Sequence, residues 1–174
     1  MEQTTIFCEN NCCELQIVKH RQKKKYKNTY SSSKAGIFIY DPYTNKILLV
    51  QSNGNLWGIP KGTLENKETY TMCAIRETLE ETGISVSKND FIKYITIYNK
   101  CRYFYIEKRE CKINVQTNNK NNNDANGITW INLNCLTKCI ENGDMVLNSH
   151  TNIVINYFLN IKLPRIFNKY YTSK

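Results

Sequence analysis

The sequence predicts a mixed α/β sandwich, and three observations carry that prediction. Two short aliphatic segments flank a Pro-containing turn. One stretch lacking Gly and Pro runs to a glycine. A second β-rich region then leads into two C-terminal helices. The 174 residues are 41% hydrophobic and include only seven Gly and three Pro, so one core can be built and collagen-like or wholly disordered classes are excluded.

The elements follow in order. Ala35–Tyr40 and Lys46–Gln51 read as strands of a hairpin turned at Asp41-Pro42-Tyr43-Thr44-Asn45. Residues 69–82 place Met72, Ile75 and Leu79 at helical spacing and stop at Gly83, so a helix is predicted with those three side chains anchoring it to the core. Phe91–Tyr98 and Cys101–Glu107 are rich in Tyr, Phe and Ile, as strands are, with Cys111–Val115 a further candidate. Residues 118–126 are nearly all Asn and form a low-complexity loop. Ile128–Leu133 resumes as a strand, and helices are expected over about Cys135–Glu141 and Thr151–Ile161.

Charge narrows the class of partner. Twenty-four Lys and Arg against fifteen Asp and Glu give a net charge of +9, which favours polyanions such as nucleic acid or nucleotides. Lys19, Arg21, Lys23, Lys24, Lys25, Lys27 and Lys34 crowd one stretch, which is either a solvated arm or an RNA-binding one. The organisation is therefore a basic, Cys-containing extension at 1–33, a folded domain at 34–161 and a basic tail at 162–174. No run approaches the ~20 apolar residues of a membrane span. No secretory signal follows Met1, so the expectation is a cytoplasmic chain whose eight Cys stay reduced, with no membrane partner.

The chemistry lies in Gly62 to Ile84. Each helical residue turns about 100°, so Glu77, Glu80 and Glu81 share one stripe. Like charges at i, i+4 repel, and a divalent cation would offset that. Oxygen ligands on a rigid helix suit Mg²⁺ or Mn²⁺. The bland alternative is a solvated acidic face with Arg76 pairing Glu80.

The wider spacing decides against it. Gly62, five residues, Glu68, seven residues, Arg76-Glu77, two residues, Glu80-Glu81, one residue, Gly83 is the pattern of the Nudix box, and the chain resembles the Nudix hydrolases. Seven such letters coincide by chance on the order of once in 10⁸ starting points. Thr78 departs from the family, which usually carries an aliphatic residue there. The resemblance implies an α/β/α sandwich with a mixed central sheet that hydrolyses a nucleoside diphosphate linked to another moiety, with divalent cations. It implies Glu80 and Glu81 as metal ligands, Glu77 as a ligand or general base, Arg76 as an orienting residue, Gly62 as a close backbone approach donating its carbonyl to metal, and Glu68 as a loop support.

Trp57-Gly58-Ile59-Pro60-Lys61-Gly62 is similar to the W-G-x-P-K-G of mRNA-decapping Nudix proteins, which makes Trp57 and Lys61 substrate-binding candidates. Diadenosine polyphosphate hydrolases share the P-K-G turn. Asp124, six positions before Trp130, resembles the acidic residue of a second decapping motif; Glu107 and Glu110 compete for that outlying carboxylate, and a solvated loop Asp is the alternative. The functional expectation is removal of the 5′ cap of RNA. The alternatives are hydrolysis of diadenosine polyphosphates or other small nucleotides, and a non-catalytic RNA-binding module. Cys8, Cys12, Cys13 and His20 have the residue types of a zinc site, but C-x3-C-C-x6-H matches no knuckle or ribbon and no fourth ligand is placed, so free thiols are the expectation there.

Overall fold

A computed structural model describes residues 3–18, 32–51, 56–115 and 125–164. Its strands are β1 (Gln3–Phe7), β2 (Glu14–Val18), β3 (Lys34–Asp41), β4 (Lys46–Gln51), β5 (Leu56–Gly58), β6 (Lys61–Thr63), β7 (Lys93–Ile97), β8 (Cys101–Glu107), β9 (Gly127–Asn132) and β10 (Val146–Leu147). Its α-helices are α1 (Tyr70–Thr82), α2 (Leu133–Glu141) and α3 (Ser149–Leu159). All ten strands join one sheet whose main path runs β1-β2-β9-β4-β3-β8-β7. β3 and β8 pair in parallel, as do β5 and β10, while the other pairs are antiparallel. The predicted mixed sheet between helices is what forms.

Alternation along the strands builds a core on each face. Ile37, Ile39, Leu48 and Val50 point to the side covered by α1, with Cys73 and Ala74 packed on them. Phe38, Ile47 and Leu49 point to the other side, where Leu136 of α2 and Val154, Ile155 and Phe158 of α3 close the layer.

Three differences from the sequence reading have physical causes. Residues 3–18, read as part of an extension, form the β1–β2 hairpin, and β2 pairs with β9 through Leu15–Thr129 and Ile17–Gly127. Residues 111–115 form no strand; the Cys111 carbonyl instead accepts the Trp130 indole N–H at 3.1 Å. Of the three predicted anchors on α1, Ile75 packs half-buried against the core, but Met72 and Leu79 do not. Met72 and Leu79 are 57% and 49% exposed, and the buried side chains are Cys73, Ala74, Thr78 and Thr82. Small residues let the helix lie close to β3 and β6, and the carboxylate stripe borders the buried face instead of opposing it. The basic stretch 19–27 and Asp124 lie outside the described residues, as does the tail beyond residue 164.

Candidate active site

The helix α1 starts at a Thr69 cap, whose side chain accepts the Met72 N–H at 3.2 Å, and ends at Gly83 in the left-handed conformation (φ 75°). Both ends are fixed, so the carboxylate stripe has a set orientation. It faces β6, which pairs with the start of β3 by placing Gly62 opposite Ala35.

At this contact the Glu77 carboxylate fills the space that a Cβ on Gly62 would occupy. Glycine leaves room there for the end of the Glu77 side chain. The Gly62 carbonyl faces the Cys73 thiol at 3.7 Å. Next door, the Lys61 backbone N–H donates to Glu81 Oε2 at 2.9 Å. Two of the three stripe carboxylates are thus seated against one turn.

Arg76 ties the rest together. Its Nε and Nη2 donate to the two oxygens of Glu68, both at 2.9 Å, and Nη2 also reaches the Thr63 carbonyl at 3.1 Å. Its Nη1 donates to Glu77 at 2.8 Å and Glu80 at 3.1 Å. Glu68 in turn accepts the Glu65 N–H at 2.9 Å, closing the loop before the helix. The hydrogen bonds from Arg76 hold Glu68 below the usual carboxylate range, and those same bonds hold the guanidinium charged.

Glu77 behaves differently. Burial pushes its carboxyl above the usual range even though Arg76 lies at 2.8 Å. One guanidinium lies within 4.0 Å of four carboxylates, those of Glu65, Glu68, Glu77 and Glu80, so negative charge predominates in this cluster. Glu77, Glu80 and Glu81 offer hard oxygen donors of the kind a divalent cation takes, and could hold one.

The structure brings Lys61 to the site but not Trp57. Burial draws the Lys61 ammonium below its usual range, while Glu81 and Glu77 oppose that. Trp57 is 2% exposed and lies in the core. Its motif is used for packing: the Asn148 N–H donates to the Trp57 carbonyl at 2.9 Å, the Ile59 N–H donates to Thr151 Oγ1 at 3.2 Å, and the Asn148 side chain presses on Gly58.

Glu107 and Glu110 do not join the stripe. Glu107 is opposite Tyr40 on β3, five residues from Ala35 and so about 16 Å along the strand. It accepts the Tyr105 hydroxyl at 2.7 Å, and Glu110 pairs with Lys46 at 2.8 Å.

Sequence reasoning missed one pair. Tyr103, fully buried, shares a 2.7 Å hydrogen bond with His150 Nδ1 in the first turn of α3. Burial lowers the His150 pKa, and the charges of Lys61 and Lys34 lower it further. The Tyr98 ring is tilted against His150 at 5.8 Å. The parallel β3–β8 pairing sets Tyr103 opposite Gly36, which pairs on its other side with Lys61 of β6, and no motif announces it.

The family model of the NUDIX domain matches residues 32–145, more than half of the chain. The chain belongs to the Nudix family. As a Nudix hydrolase it is 33% identical over 136 residues to the 111R protein of Invertebrate iridescent virus 3, a hydrolase by its name, covering 75% of this chain and 79% of that one. It is 40% identical over 70 residues to the m7GpppN-mRNA hydrolase dcap-2 of Caenorhabditis elegans, a match covering 38% of this chain and 8% of the relative. Among solved structures, the bifunctional NMN adenylyltransferase/ADP ribose pyrophosphatase of Francisella tularensis, complexed with AMP and a Mn ion, superposes with a TM-score of 0.55 at 21% identity, over 74% of this chain and 41% of that one. That likeness shows the shared fold. Nudix hydrolases are generally divalent-metal dependent. Among the described residues, no helix of this one is long and apolar enough to cross a membrane.

Proposed function

We propose that this Nudix hydrolase cleaves the pyrophosphate linkage in the 5′ cap of RNA. The observation that carries the hydrolytic part is the Glu77–Glu80–Glu81 stripe, gripped by Arg76 and seated on Lys61-Gly62. Three features support the cap as substrate: the Trp57–Gly62 segment with its decapping-like letters, the partial match to a decapping hydrolase, and the +9 charge suited to a long polyanion.

In this reading Glu80 and Glu81 are metal ligands and Glu77 is a further ligand or the general base. A bound Mg²⁺ or Mn²⁺ would supply charge neutralisation for the phosphates and a water of lowered pKa. Arg76 holds Glu77 and Glu80 in place through two hydrogen bonds from one nitrogen. Lys61, whose backbone N–H holds Glu81, presents a cation from β6, which pairs with the start of β3 that carries Lys34, and a phosphate chain would run there. Asp124 stays a candidate base by its position before Trp130.

The test is a Mn²⁺ incubation with capped RNA, free cap analogue and diadenosine polyphosphates, with products identified by mass. Release of m7GDP from capped RNA, abolished by Glu81→Gln with the fold retained, is the expected result. Turnover of only the small nucleotides would overturn the cap assignment, and unaltered turnover by Glu81→Gln would overturn the metal face.

A further inference from the structure

The Cys8, Cys12 and Cys13 thiols lack a fourth partner in the sequence, and the fold supplies one. Cys135, in the first turn of α2, brings its Sγ to 3.4 Å from Cys12 Sγ. Cys12 Sγ is also 3.6 Å from Cys8 Sγ and 3.5 Å from Cys13 Sγ, and all four sulfurs lie within 4.8 Å of one another. His20, the other residue of the sequence cluster, is outside the described residues.

We infer that Cys8, Cys12, Cys13 and Cys135 form a structural zinc site that staples the β1–β2 hairpin to α2.

The spacing fits the ion. Sulfurs at about 2.3 Å from zinc in a tetrahedron stand about 3.8 Å apart. The separations here are close to that edge, and well beyond the about 2.05 Å of a disulfide. The turn between β1 and β2 is shaped to converge its thiols. Asn11 takes a left-handed conformation (φ 51°), its N–H donates to the Cys8 carbonyl at 2.8 Å, and the Cys8 N–H donates to the Cys13 carbonyl at 3.1 Å.

The surroundings orient the sulfurs. The Asn132 backbone N–H donates to Cys13 Sγ at 3.2 Å, and the Asn10 amide donates to Cys135 Sγ at 3.6 Å. Cys135 sits at the positive end of α2. Cys8, Cys13 and Cys135 are buried and Cys12 is exposed, which gives an ion a route in. Four soft ligands and no open position describe a closed structural site, apart from the hard-oxygen stripe on α1.

The full chain, purified reduced and without chelator from zinc-supplemented cells, is expected to carry about one zinc per chain that survives a Glu81→Gln substitution. Cobalt exchanged into it should show thiolate-to-metal charge transfer in the near ultraviolet and the intense visible bands of a tetrahedral ion, which carboxylates do not give. Cys135→Ser and Cys12→Ser should lose zinc and those bands. Cys139→Ser, one turn further along α2, should keep both. Because a ligand variant may fail to fold, the wild-type cobalt spectrum is decisive by itself. A reduced wild-type chain without zinc, cobalt bound without thiolate bands, or equal loss in Cys139→Ser and Cys135→Ser would each overturn the site. None of these results bears on the hydrolase reading.

Discussion

The carboxylate of Glu77 stands where a side chain on Gly62 would begin. A strand residue and a helix residue fifteen positions apart are thus in close contact: a Cβ on the strand would have to displace the Glu77 carboxylate. The expected outcome of Gly62→Ala is a displaced Glu77, a loss of about 1–3 kcal/mol in stability and at least a tenfold fall in hydrolysis. Denaturant unfolding and steady-state rates check it; near-wild-type values of both would show that the carboxylate moves aside freely.

Arg76 makes a planar fork to Glu68 and a second reach to Glu77 and Glu80. Lysine keeps the charge but cannot hold three carboxylates in fixed directions. Arg76→Lys should lower kcat on the order of 10- to 100-fold with a smaller change in KM, because ligand orientation and not substrate affinity is lost. Kinetics of the folded variant decide this, and a pure KM effect would assign Arg76 to substrate binding.

Thr78 is fully buried, and among the described residues its hydroxyl finds no hydrogen-bond partner. Burying an unpaired hydroxyl costs free energy, so Thr78→Val should stabilise the protein by about 1 kcal/mol and leave turnover unchanged. A raised melting temperature is the readout; a lowered one would mean the hydroxyl is satisfied in solution.

Asp41 is 1% exposed and accepts the Tyr43 N–H at 2.9 Å, the Glu110 N–H at 2.8 Å and the Thr44 hydroxyl at 3.0 Å. Burial alone would raise its pKa, but these hydrogen bonds prevail and hold it below the ordinary value of 3.8. As pH falls below 3.8 the unfolded chain takes up this proton first, so the stability Asp41 contributes above that pH is lost as pH drops through its folded value. Asp41→Asn should cost about 1–3 kcal/mol at neutral pH and flatten the acid limb of the stability curve. Unfolding midpoints from neutral to acid pH test this, and parallel curves for the two proteins would refute it.

By itself the sequence determined what local spacing encodes. The 3.6-residue period puts Glu77, Glu80 and Glu81 on one stripe, Gly83 ends their helix, and alternation along Ile37–Ile39 and Ile47–Val50 sets two buried faces. Those relations involve residues within a turn or a strand of each other, where backbone geometry leaves few choices. Which face of α1 turns inward was not fixed that way, because small residues beat Met72 and Leu79 only through close approach to β3 and β6. Nor could spacing reveal that Tyr103 meets His150, that Trp57 is spent on packing, or that Cys12 finds Cys135 across 123 positions. Pairings so far apart in the chain depend on strand order and register, and only the assembled sheet sets those.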